Sequence, residues 1–136
     1  MNIVLSILVS IVSTILLVLA NTLGGFIGVL GGYLYNVSTT NTFLPVGIGH
    51  DFVVFLVPYI IAGFIGGYIS SKAHILIYKS FNLIASIAIP ILFCIYTTYN
   101  YLDRFNDLGL IVWSANIFQV FISVGFFTYV LRNYKS

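Results

Sequence analysis

Few side chains in this chain could do chemistry, and their spacing makes most chemistries hard to assemble. Two histidines, three acidic residues and one cysteine make up the catalytic and metal-ligating inventory, and glutamate is missing altogether. His50 and Asp51 stand side by side, while Asp103 and Asp107 lie four apart with Arg104 between them. A cation site would need three or more such ligands converging, and this spacing is not of ligand type. These groups read as solvated loop charges. His50 and His74 bracket an apolar stretch and would sit at its opposite ends, too far apart to share a metal; His74 itself reads as interfacial. Cys94 is the single cysteine, so neither an intrachain disulfide nor a cysteine zinc site can form. There is no nucleophile–base set and no phosphate-cradling loop. The expectation is no catalytic residue, no metal, no cofactor and no enzyme.

Two other patterns can act without catalysis. Gly24, Gly28 and Gly32 recur every fourth residue, and Gly63 and Gly67 repeat the spacing. Residues four apart share a helix face, so each set makes a groove where a second backbone can approach closely. The segments GGFIGVLGGY and AGFIGGY also resemble each other, which shared composition explains equally well. The grooves are expected to be helix-packing interfaces, within the chain or, by a slight margin, between chains. Asn21 sits within a long apolar stretch, and Asn116, Gln119 and Ser123 fall on one face of another. Such groups in hydrocarbon face protein or water. They read as interhelical hydrogen bonds or as a polar lining around an oligomer's axis. Pro58 and Pro90 each remove a backbone donor, freeing the Val54 and Ser86 carbonyls, and mark expected helix kinks.

The elements that carry these residues follow from composition. The chain has 136 residues, 60% hydrophobic and 6% charged; soluble domains carry about a quarter charged residues. A helix needs about 20 apolar residues to span a bilayer, and helices or closed barrels alone satisfy their backbone there. Strand alternation is missing, so the expected fold is an all-α four-helix transmembrane bundle, a single domain over residues 1–136. Its spans are expected at about 3–35, 52–71, 75–99 and 109–131. The first, roughly 50 Å as one helix at 1.5 Å per residue, must tilt, protrude or kink near Gly24 and Gly25. The alternative is a span followed by a re-entrant piece. Without a basic leader or a cleavage-type site, this stretch reads as a retained helix rather than a signal peptide. The residues from Asn36 to His50 form the only sizeable expected loop, and Lys79 is expected one turn inside the third span.

Lys72, Lys79, Arg132 and Lys135 fall on one side of such a bundle and the aspartates on the other. That places both termini in the cytoplasm, in a bacterial inner membrane. Tyr68, Tyr78, Tyr129 and Tyr134 would mark the inner interface, and Tyr33, Tyr35, Tyr99, Tyr101 and Trp113 the outer one. The expected partners are the lipid bilayer and either a second copy or another membrane protein, with no nucleic acid, since the net charge of +2 is dispersed. The leading expectation is a non-enzymatic membrane protein acting by helix association, as a homo-oligomer or the membrane subunit of a complex. An oligomeric channel or small-solute transporter is the alternative, and a membrane immunity or defence protein a further one.

Overall fold

The computed structural model describes residues 2–40, 56–103 and 105–134, with the side chains of 29, 32–33, 35–40 and 105–112 excepted. It is an all-α four-helix bundle: α1 Asn2–Thr40, α2 Val57–Ile77, α3 Leu83–Leu102 and α4 Phe105–Asn133. Each contains a stretch long and apolar enough to cross a membrane. α1 packs against α2 and α3, and α4 packs against the same two helices, so α1 and α4 lie across a diagonal. One end of the bundle carries Asn2 and Asn133; the other carries the expected long loop, whose residues 41–50 lie outside the described part.

The side chains are distributed as lipid demands. Leu76 and Ile84 are each 78% exposed, while Ser6, Ser10, Ser13, Ser70 and Ser71 are fully buried. A water-facing protein would reverse that arrangement. The apolar core comprises Leu17, Ile75, Cys94, Val120, Val124, Phe127 and Leu131. Most buried hydroxyls bond back to their own helix, as Ser13 does to the Val9 carbonyl and Ser70 to that of Gly66. Small, self-satisfied side chains of this kind let helices approach without leaving a polar group unpaired.

α1 is one 39-residue helix, uninterrupted at Gly24 and Gly25. No re-entrant piece forms over residues 25–35. The second and third helices meet later than expected: Ile75 to Ile77 end α2, and Tyr78 to Asn82 form the turn. Asn82 sets the start of α3. Its backbone is extended, and its side chain accepts a hydrogen bond from the Ala85 N–H, relieving one of the orphan donors at a helix start. Lys79 therefore lies in the turn rather than inside a span. The expected start of the second span, residues 52–55, lies outside the described part, as do His50, Asp51, Arg104 and Lys135.

Candidate polar chamber within the bundle

At the termini end, three long-range hydrogen bonds hold α1 to the turn and to α3. The Tyr78 hydroxyl donates to Asn2 Oδ1 at 2.5 Å, the Asn82 N–H donates to Ser6 Oγ at 2.7 Å, and Ser10 Oγ donates to the Ser86 carbonyl at 2.5 Å. The last contact answers the sequence directly. Pro90 lies inside α3 and cannot bond the Ser86 carbonyl; Ser10 does so instead. Pro58 stands in the first turn of α2 as described, where a missing N–H leaves no intrahelical bond unmade, and Val54 lies outside the described residues.

The glycines pack within the chain. A Cβ at Gly24 would collide with the Ala62 methyl, and one at Gly28 would lie 3.1 Å from Pro58 Cβ. Gly63 and Gly67 do not face α1. A Cβ on them would lie 2.9 Å from the Gln119 carbonyl oxygen and 2.5 Å from that of Ser123, both on α4. The two grooves thus serve two different interfaces of α2 with its own neighbours. Among the described glycines of α1, Gly31 alone has open space about it, and it borders an apolar groove of about 610 Å³ between α1 and α2. Gly32 lies on α1, and its surroundings are outside the described part.

The polar residues singled out by type do converge. Asn21 on α1 and Asn116 and Gln119 on α4 line one chamber of about 310 Å³, together with Thr22, Tyr59 of α2, and Thr97 and Tyr101 of α3. They meet inside a single bundle rather than on an outer face. Gln119 Nε2 donates to the Asn21 carbonyl at 2.9 Å, and Asn21 Nδ2 donates to Ser123 Oγ at 2.9 Å. The Ser123 hydroxyl itself donates to the Val120 carbonyl, so it anchors Asn21 from behind the wall. Asn21 Oδ1 points at Gly66, where a Cβ would lie 2.9 Å away; only a glycine leaves room for the amide. Near the rim, the Tyr101 hydroxyl donates to Asn116 Oδ1 at 3.3 Å, and Trp113 Nε1 donates to the Tyr101 carbonyl at 2.6 Å.

Asn21 Oδ1 is buried without a partner, and the Tyr59 hydroxyl, Thr97 Oγ1 and Gln119 Oε1 of the lining likewise carry no hydrogen bond among the described residues. Tyr59 and Gln119 are only 5% and 4% exposed. Among the described residues no charged side chain lines the space. An ion there would lose its hydration without gaining a counter-charge, whereas an uncharged molecule with hydroxyl or amide groups would find donors and acceptors in place. Tyr59, Thr97 and Tyr101 were not foreseen, although Thr97 and Tyr101 stand four apart on one helix face, which was the available signal.

His74 points into the bundle rather than toward its surface. It is fully buried one turn before the end of α2, edge-on to Phe81 and Phe127 at ring separations of 5.0 and 6.0 Å. Neither ring nitrogen has a partner among the described residues. A buried polar group without a partner costs about 1–3 kcal/mol, so His74→Leu is expected to be neutral or up to about 2 kcal/mol more stable. Thermal unfolding in mild detergent checks this, and a clear loss of stability would show that the imidazole is bonded. Among the described residues no three His, Cys, Asp or Glu side chains gather around a metal-sized space. Comparison with protein-family models, with curated proteins and with solved structures finds no match to this chain.

Proposed function

We propose that the chain is a non-enzymatic polytopic membrane protein whose working part is the polar chamber, a binding site for an uncharged molecule and a component of small-solute handling rather than of catalysis. The chamber is the observation that supports it: hydrogen-bonding groups from all four helices meet in an otherwise apolar bundle, with no charge among them. In this reading the bundle sits in a bacterial inner membrane. The end bearing Asn2, Lys72, Lys79 and Arg132 faces the cytoplasm, following the bias of basic residues toward that side.

Thermal unfolding with a panel of small probes tests the proposal, because a ligand that binds only the folded state raises the midpoint by mass action. Glycerol and acetamide, at millimolar concentrations too low to act as general cosolvents, are expected to raise it and acetate and ammonium to leave it unchanged, with the rise lost in Gln119→Leu. If no uncharged probe moves the midpoint, the chamber is not a ligand site.

A second reading, association with another copy or a partner subunit, is favoured by the apolar groove beside Gly31. Small residues along such a groove admit a second helix backbone. Gly31→Leu is then expected to lower the oligomer mass in mild detergent. A monomer before and after the change would remove this reading.

A further inference from the structure

The chamber opens sideways, and its opening constrains what enters. Thr22 and Phe26 line it yet are exposed, Phe26 by 69%. Both fall within the apolar stretch Asn2–Gly28 of α1, whose exposed side chains are of the kind a bilayer covers. On the other side of the opening stand Phe93, Thr97 and Tyr101 of α3. α1 and α3 are joined by hydrogen bonds at Ser10 and at the cap residue Asn82, both at the termini end. Toward the loop end, no described hydrogen bond ties them together.

A second polar cavity of about 260 Å³ continues the chamber along α3. It is lined by Tyr96, Thr97, Asn100 and Tyr101, sharing Thr97 and Tyr101 with the chamber. Tyr96 and Asn100 are exposed, and Asn100 lies within the last turn of α3. The polar surface therefore runs from Gln119 in the interior to the flank of α3 at the depth where a span meets the headgroups. A water-soluble molecule can reach the chamber from an end of the bundle and does not need a slot on the lipid side. A molecule already resident in the bilayer does.

We infer, building on the chamber reading, that the chamber takes the head of an amphiphile that slides in from the bilayer between α1 and α3. The head is uncharged and carries hydroxyl groups, as in a glycerol mono- or diester or a long-chain alcohol. Tyr59, Thr97 and Gln119 receive it, and Phe26 and Phe93 flank the start of its hydrocarbon tail. Among the described residues no basic side chain lines either cavity, so none of them would pair a phosphate or carboxylate head.

Trp113, the only tryptophan, bonds the Tyr101 carbonyl and so reports on the rim. In phosphatidylcholine nanodiscs, monoolein is expected to change Trp113 emission saturably, and oleate is expected to leave it unchanged. Thr97→Val, which removes a hydroxyl with no described hydrogen bond, should weaken the monoolein response by about five-fold, the scale of one lost hydrogen bond. Gln119→Leu should do the same. An equal response to oleate, or a monoolein response untouched in a folded Thr97→Val protein, would overturn the inference. So would a response to glycerol alone, which would leave the chamber reading standing. Silence toward both glycerol and monoolein would remove both.

Discussion

Gly67→Ala is expected to destabilise the bundle by about 2 kcal/mol, in the range for overpacking a close contact. The added methyl would lie 2.5 Å from the Ser123 carbonyl oxygen, 3.2 Å from Phe126 Cβ and 3.3 Å from the Phe127 nitrogen. Two of those atoms are backbone, so no side chain can rotate away, and α4 must retreat from α2. The retreat would carry Ser123 away from Asn21, to which it is bonded at 2.9 Å, and would spread from the α2–α4 interface to the chamber wall. Alanine's better helix propensity, worth about 1 kcal/mol over glycine, offsets only part of this loss. Gly125 supplies the control: a Cβ there meets nothing within 4 Å, so Gly125→Ala should be neutral or slightly stabilising. Unfolding midpoints in mild detergent compare the two, and equal effects would mean that α2 and α4 do not meet at Gly67.

That contrast shows where sequence ran short of structure. Hydropathy located four apolar helices because a spanning helix must be apolar along its whole lipid-facing length. The glycine spacing announced close approach but could not name the neighbour. A groove at Gly63 and Gly67 looks the same whether α1, α4 or a second chain fills it, and the rotation of α2 about its own axis decides. The rotations of α1 and α4 about their own axes brought Asn21, Asn116 and Gln119 together. Each was visible beforehand as an amide among hydrocarbons, whereas Tyr59, Thr97 and Tyr101 were not, since tyrosine and threonine occur in spans for many reasons. The turn between α2 and α3 was misplaced because Ile75, Leu76 and Ile77 continue one apolar run into the next, with no glycine or proline to separate them. The cap at Asn82 was the mark that could have placed it. The polarity of His74 gave no sign that its ring would be enclosed by Phe81 and Phe127.

Ser10→Ala is expected to cost about 1–2 kcal/mol, and the cost should vanish when Pro90 is also replaced by alanine. Hydrogen bonds between membrane helices are usually worth less, averaging about 0.6 kcal/mol, because a lost partner is often regained elsewhere in the membrane. The Ser86 carbonyl has no such recourse. Pro90 has removed the N–H that would have bonded it, and both Pro90 and Ser86 are fully buried. Deleting the Ser10 hydroxyl, now 2.5 Å away, leaves an acceptor with no water to replace it, and an orphaned buried group costs more than the average bond contributes. Pro90→Ala restores the intrahelical donor, so Ser86 then no longer depends on α1. The double-mutant cycle therefore has a definite sign. Ser10→Ala should be costly beside Pro90 and nearly silent beside Ala at that position, giving a coupling of about 1 kcal/mol. A Ser10→Ala cost of the same size in both backgrounds would mean that Ser10 contributes by packing and that the Ser86 carbonyl is served by another donor. With the predicted coupling, the proline of α3 and the serine of α1 act as one device: the helix gives up a bond of its own, and the neighbouring helix is held in register by supplying it.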